Sequence, residues 1–234
     1  MTDREAHHGL HVLRLRRGDP VTVLDGAGGE YLCQTAELAR TTIGLTVRQM
    51  RSVPPLPYEV TLVQALLKGK MFDAIIQKAT ELGVSRIVPL LSDRVILQLD
   101  EQKSGTKTDH WRRTAIEAIK QCGSAWLPRI EPATAFRTLV GRGDKFDLSL
   151  IAALQSESRH PRAWFEAFRA EHRHLPRSVC LWVGPEGDFT PEEVEAAKLV
   201  NARPITLGRL VLRSETAAIY SLAIVNYELQ WSGG

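Results

Sequence analysis

The sequence predicts an α/β fold, a mostly parallel sheet with flanking helices, preceded by a small β-rich unit. Three observations predict it. After residue 57, short apolar runs alternate with segments of helical spacing, the pattern of strand–helix crossovers. Before residue 52, short strand-like runs are separated by glycine turns, which reads as a small β-barrel. Between them, Ser52-Val53-Pro54-Pro55-Leu56-Pro57 carries three prolines in four positions, which suit neither helix nor central strand. The expected division is therefore residues 1–56 and residues 57–234.

In the first segment, Val12-Leu13-Arg14-Leu15-Arg16 alternates apolar and basic residues and reads as a strand. Val21 to Leu24 follows a Gly18-Asp19-Pro20 turn. Asp25-Gly26-Ala27-Gly28-Gly29 is a hairpin signal ahead of a strand from Tyr31 to Leu38. Ile43 to Val47 reads as a further strand. At about 50 residues this unit is small for independent stability.

In the second segment, Val60 to Leu67 is an apolar run fit for a buried parallel strand. Met71 to Leu82 has helical spacing, and Gly83 stands where a helix-ending glycine belongs. Arg86 to Leu91 reads as a strand and Asp109 to Cys122 as a helix, with Thr108 or Asp109 as N-cap. Leu148 to Leu154 reads as a strand, Pro161 to Ala170 as a helix, Val179 to Val183 as a strand. Thr190-Pro191-Glu192-Glu193 opens a helix through a capping box with proline in its first turn. Pro204 to Leu207 reads as a strand and Ser214 to Leu229 as a long helix, apolar around much of its circumference and therefore expected to be buried.

Composition narrows the function classes. The balance of 44% hydrophobic and 24% charged residues is that of a globular chain. No apolar run approaches a bilayer span, and Met1-Thr2-Asp3-Arg4-Glu5 lacks the apolar stretch of a secretory signal. The three cysteines, Cys33, Cys122 and Cys180, form no CxxC pair, which points to a reducing, cytoplasmic setting. His7, His8 and His11 cluster, as do His172 and His174, but without acids or cysteines at ligand spacing, so no metal is expected. A net charge of +3 permits a polyanionic partner without requiring one.

Two segments carry chemistry. In Leu181-Trp182-Val183-Gly184-Pro185-Glu186-Gly187-Asp188-Phe189 a buried strand breaks into a glycine loop that leads to a capped helix. Such a loop lets backbone approach a ligand closely, though a tight turn alone would use the same glycines. In Leu207-Gly208-Arg209-Leu210-Val211-Leu212-Arg213-Ser214-Glu215-Thr216-Ala217 a strand again ends in glycine before a helix. Ser214 as a cap and Glu215 against the helix dipole would explain its end. They leave unexplained Leu210, Val211 and Leu212, three apolar residues in one loop, which suit an apolar ligand face.

Together these segments resemble the carboxyl-terminal part of the SPOUT methyltransferases, and within that class the RsmE family of small-subunit ribosomal RNA uridine-N3 methyltransferases. The resemblance extends to Leu67-Lys68-Gly69-Lys70-Met71 with Ile76-Gln77-Lys78-Ala79-Thr80-Glu81-Leu82-Gly83-Val84, and to Ala118-Ile119-Lys120-Gln121-Cys122-Gly123. His11-Val12-Leu13-Arg14-Leu15 with Gly18-Asp19 and Asp25-Gly26 resembles the family's PUA-like barrel. These motifs thus stand in the family's order along nearly the whole chain. Three departures are visible. The barrel's first strand begins almost at once, so the barrel is expected to be incomplete. Ser124 stands where the family often has arginine, and Asp188 where it often has a second glycine.

The resemblance implies a carboxyl-terminal trefoil knot whose loops hold S-adenosylmethionine. It places Leu154 and Gln155 after one strand, Val183, Gly184, Pro185, Glu186 and Gly187 after the next, and Leu207, Gly208, Leu210, Val211, Leu212 and Thr216 in the last loop. Leu154, Leu207 and Leu212 would sandwich the adenine, and Glu186 would stand near the sulfonium. Arg213 and Glu215 are the catalytic candidates, the first to steady the uracil oxygens or a phosphate, the second as base. Arg14, Arg16 and Arg17, with Lys68 and Lys70, are the candidates for binding ribosomal RNA of the small subunit. Lys68-Gly69-Lys70 lacks the spacing of a P-loop. A homodimer built on the last helix is expected. The rival readings are another SPOUT enzyme acting on transfer RNA or a ribose hydroxyl, and a non-catalytic RNA-binding assembly protein.

Overall fold

A computed structural model describes residues 1, 3–94, 101–154 and 157–230. The chain forms two compact units, Met1–Pro55 with Gly123–Trp126, and Leu56–Cys122 with Leu127–Gly234. The short Gly123–Trp126 segment thus belongs with the first unit, although in sequence it lies deep inside the second.

The first unit holds helix α1 (Asp3–His7), a π-helical turn (His8–Val12), and strands β1 (Pro20–Leu24), β2 (Gly29–Leu38) and β3 (Ile43–Ser52). The strands make one antiparallel sheet in the order β1-β2-β3, with Val21 opposite Cys33 and Cys33 opposite Val47. Among the described residues the sheet is open and three-stranded, in line with the expected incomplete barrel. The strand expected over Val12–Arg16 is corrected. The Leu13 N–H donates to the His8 carbonyl at 3.0 Å, a π-helical bond, and Arg14 has φ 53°, a left-handed conformation no strand can contain. Trp126 donates from Nε1 to the Val53 carbonyl at 3.0 Å, which fastens the inserted segment to this unit.

The second unit is a parallel sheet of β4 (Glu59–Ala65), β5 (Arg86–Leu91), β6 (Arg129–Ile130), β7 (Thr134–Ala135), β8 (Leu148–Ala152), β9 (Ser178–Val183) and β10 (Ala202–Ile205). The order is β10-β8-β9-β4-β5-β6, with β7 also on β5. Its helices are α2 (Met71–Glu81), α3 (Glu101–Cys122), α4 (Phe136–Gly141), α5 (Pro161–His172), α6 (Pro191–Leu199) and α7 (Ser214–Gln230). Side chains alternate along each strand, so both faces of the sheet are apolar. Val60, Leu62, Leu150, Val179 and Leu181 pack with Phe72, Ile75, Phe165, Leu222 and Val225 of α2, α5 and α7. Val63, Ile151, Cys180 and Trp182 pack with Phe136, Leu139, Val194 and Ala197 of α4 and α6. Among the described residues no helix is long and apolar enough to cross a membrane.

Local chemistry places α6 firmly. Thr190 accepts from the Glu193 N–H at 3.2 Å, and Glu193 accepts from the Thr190 N–H at 2.9 Å, which is the predicted capping box. Glu193 is buried and also accepts from the Asp93 N–H at 2.9 Å, so the same carboxylate ties the chain beyond β5 to the start of α6. Helix α3 begins at Glu101, eight residues before its expected start. The polar run Glu101–Thr108 shows no apolar period, and the capping residues at Thr108 and Asp109 fall inside the helix.

Candidate active site

Strands β8, β9 and β10 are neighbours and run parallel, with Leu150 opposite Leu181 and Ile151 opposite Pro204. Their carboxyl ends therefore open at one edge of the sheet, the place where open α/β sheets bind ligands. A cleft of about 330 Å³ lies there, within the usual size of small-molecule sites. The end of β8 and the loop after it contribute Ala152, Ala153 and Leu154, and the end of β9 and the loop after it contribute Val183, Gly184, Pro185, Glu186 and Asp188. The segment from Ile205 to the first turn of α7 completes it, with Leu207, Gly208, Leu210, Val211, Leu212 and Ser214 among its lining.

The lining is apolar yet exposed. Leu154 is 67% exposed, Leu210 79% and Val211 77%. Three such side chains beside one cleft form a surface that a ligand with an apolar face would cover. Two glycines permit this shape. A side chain at Gly184 would come within 3.2 Å of both the ring and the backbone nitrogen of Phe189. Gly208 has φ 118°, which side-chain-bearing residues rarely adopt.

Hydrogen bonds lock the three loops to each other. Asp188 has φ 61° and accepts from the Leu154 N–H at 2.9 Å and from the Phe189 N–H at 2.8 Å. The residue that replaces a family glycine thus keeps a glycine-like backbone and joins the loop after β9 to the loop after β8. Ser214 donates to the Gly184 carbonyl and accepts from Gln64 Nε2 at 3.0 Å. Its hydroxyl therefore serves the neighbouring loop, and the alternative reading of Ser214 as a simple helix cap gives way to a cross-link. Gln64 is fully buried at the end of β4. The sequence reading missed it. The available signal was one amide within the apolar run Val60 to Leu67.

The expected site residues divide as follows. Leu154, Val183, Gly184, Pro185, Glu186, Leu207, Gly208, Leu210, Val211 and Leu212 come together in the cleft. Gly187 and Thr216 do not line it. The Gly187 carbonyl accepts from the Arg94 guanidinium, and Thr216 is exposed on α7. Gln155 lies outside the described residues. Arg213 and Glu215 flank the lining residue Ser214, Arg213 exposed and Glu215 half-buried. Among the described residues neither side chain has a hydrogen-bond or ion-pair partner, so both are free to meet a substrate. Arg14, Arg16 and Arg17 are exposed in the first unit, off any strand, and Lys68 and Lys70 are exposed after β4 in the second. Among the described residues no group of three or more histidines, cysteines or acids is placed to hold a metal ion.

Comparison with known proteins gives the following. Residues 54–226 match the family described as RNA methyltransferase domain, and residues 1–43 match the RNA methyltransferase PUA domain. The chain is 34% identical to ribosomal RNA small subunit methyltransferase E of Synechocystis, over 98% of this chain and 73% of that protein. It is 30% identical to the protein of the same name from Bacillus subtilis, over 98% and 90%. Among solved structures it is similar to a Legionella pneumophila protein described as a methyltransferase with bound cofactor SAM (TM-score 0.88, 28% identity, 97% of this chain and 90% of that one). It is also similar to ribosomal RNA small subunit methyltransferase E from Neisseria gonorrhoeae bound to S-adenosyl methionine (TM-score 0.84, 25% identity, 97% and 90%).

Proposed function

We propose, because this chain belongs to the ribosomal RNA small subunit methyltransferase E family, that its cleft positions S-adenosylmethionine for methyl transfer to N3 of a uridine in 16S ribosomal RNA. The chain is an S-adenosylmethionine-dependent methyltransferase of small-subunit ribosomal RNA. The observation that carries the finer reading is the pairing of an exposed apolar cleft with two uncommitted side chains, Arg213 and Glu215, on either side of its lining residue Ser214.

The residues present fit the cofactor. Leu154, Leu207 and Leu212 offer apolar surface to a flat base, and the loops supply backbone donors and acceptors beside it. Glu186 offers an exposed carboxylate to a cation. When bound, the cofactor supplies a methyl group on a positively charged sulfur.

The protein's remaining task is placement and proton management. Uridine N3 keeps its proton at neutral pH and attacks weakly until that proton leaves. Glu215 accepts it. A carboxylate is a much weaker base than a deprotonated imide nitrogen, so removing that proton needs a second group. Arg213 closes the gap by stabilising the negative charge that develops on the uracil oxygens. N3 is buried in a Watson–Crick pair, so the target uridine is single-stranded or flipped out.

The assembly is read as a homodimer in the cytoplasm. Tyr220, Ala223 and Tyr227 form an exposed stripe on α7, with Tyr220 46% and Tyr227 65% exposed, and this stripe supports pairing with a second copy. A monomer in sedimentation at micromolar concentration would contradict it. The carboxyl-terminal passage is read as a knot, supported by the return of Ser214 between the ends of β4 and β9.

The test is transfer of a labelled methyl group to small-subunit RNA, digestion to nucleosides and mass spectrometry. The expected product is 3-methyluridine. A ribose-methylated nucleoside, or no transfer, overturns the proposal. Arg213→Ala and Glu215→Ala are each expected to lower turnover by about 10²-fold or more while cofactor affinity holds.

A further inference from the structure

Two arginines share one tryptophan on the outer edge of the sheet. The guanidinium carbons of Arg159 and Arg203 lie 5.3 Å and 5.5 Å from the centre of the Trp164 ring, within cation–π range. The ring is fixed, because its Nε1 donates to the Pro204 carbonyl of β10 at 3.2 Å. Arg159 is fixed as well. Its N–H donates to the same carbonyl at 3.3 Å, and its own carbonyl accepts from the Thr206 N–H at 3.0 Å. The cluster therefore continues the edge strand toward the cleft, whose lining includes Ser158, Ile205 and Thr206.

Both arginines are exposed, and among the described residues neither has a carboxylate partner. The nearby acids are committed elsewhere. Glu157 pairs with Lys198, Glu166 with Arg162 at 3.1 Å, and Asp144 with Arg86 at 2.6 Å. Asp147 accepts the N–H groups of Arg177 and Ser178. Two like charges gathered on one ring, with Glu157, Glu166, Asp144 and Asp147 turned to other partners, make a site for an anion. The ring contact steadies each guanidinium while, among the described residues, no carboxylate takes its fork of N–H donors, an arrangement that suits a phosphate.

We propose that Arg159 and Arg203, braced on Trp164, form a phosphate clamp for the RNA strand beside the nucleotide being methylated. This rests on the reading that the chain acts on RNA. The clamp lies along the edge strand that leads into the cleft, so it fixes the register of the RNA rather than reading its sequence.

The experiment measures binding of a fluorescently labelled small-subunit RNA fragment over a range of salt, for wild type, R159Q, R203Q and the double variant. Each lost phosphate contact is expected to lower the slope of log affinity against log salt by about 1, with affinity falling uniformly across sequences. Cofactor affinity and melting temperature are expected to stay at wild-type values, since both side chains are exposed and outside the cleft lining. Arg159→Lys with Arg203→Lys keeps the charge but loses the flat fork, and is expected to recover the slope but only part of the affinity. Wild-type binding with an unchanged slope in R159Q/R203Q overturns the clamp. Failure of the wild type itself to bind any small-subunit RNA overturns the reading beneath it instead.

Discussion

Gln64 Nε2 donates to the Ser214 hydroxyl at 3.0 Å, joining residues 150 apart in the chain. Ser214 hands its own proton to the Gly184 carbonyl, so one buried relay runs from β4 through the start of α7 to the loop after β9. Arg213 and Glu215 are the immediate neighbours of Ser214, and the relay fixes where they stand. Gln64→Leu keeps much of the volume and removes the donor. It leaves the Ser214 hydroxyl and the Ala65 carbonyl without their donor, which costs about 1–3 kcal/mol of stability. The expected result is a fall in kcat of about tenfold in a protein that melts lower but is still folded at the assay temperature. Ser214→Ala added to Gln64→Leu should cost little more than either change alone, because both break the same relay. Fully additive losses in kcat would show that Gln64 acts elsewhere.

Asp188 supplies the second tie. Asp188→Gly keeps the backbone conformation at φ 61° and removes the bond to the Leu154 N–H, whereas Asp188→Ala loses the bond and adds left-handed strain of about 1–2 kcal/mol. Calorimetric cofactor titration should show weakened binding in both variants, with only Asp188→Ala also melting lower. Wild-type cofactor affinity in Asp188→Gly would remove the tie from the account.

Glu193 satisfies donors from two segments at once. Thr190→Ala is expected to cost about 1 kcal/mol in urea unfolding, the ordinary value of a lost N-cap. Glu193→Ala strands the Asp93 and Thr190 N–H groups together and should cost about 2–4 kcal/mol. Equal losses in the two variants would mean that the link to the end of β5 contributes nothing.

Asp25 gives a pH dependence with a definite sign. Its carboxylate accepts the N–H groups of Ala27 at 2.7 Å and Gly29 at 2.8 Å, and these bonds hold its pKa below the usual 3.8. A depressed folded-state pKa stabilises the turn above the unfolded value of about 3.9 and loses that contribution as pH falls through the folded value. The difference in melting temperature between wild type and Asp25→Asn should be flat from about pH 5 to 8 and shrink below about pH 4. A difference that grows on acidification would refute the assignment.

Much of the catalytic unit is legible because its signals are local. The apolar run Val179–Val183, the Gly184-Pro185-Glu186-Gly187 loop and the Thr190 capping box each announce themselves within a few residues. The apolar loop Leu210–Leu212 lines the cleft, with Leu210 and Val211 exposed and Leu212 half-buried. What stays hidden depends on partners far along the chain. Gln64 looks like one polar residue in a strand until Ser214 meets it. Asp188 looks like a departure from a family glycine until its carboxylate reaches Leu154. Helix α4 (Phe136–Gly141) was missed because six residues carry too short an apolar period, and Phe136 and Leu139 are buried only by the sheet beneath them. In the first unit, the alternation of Val12 to Arg16 is five residues long, and the left-handed Arg14 outweighs it.

The central claim is that the loops after β8, β9 and β10 hold S-adenosylmethionine. The most direct measurement is calorimetric titration of the cofactor into wild type and Leu212→Arg, with melting temperatures recorded for both. The account predicts one cofactor per chain for wild type and a loss of binding of at least about tenfold in a folded Leu212→Arg, whose long side chain would fill the cleft. Equal affinity in the two proteins would place the cofactor elsewhere and contradict it.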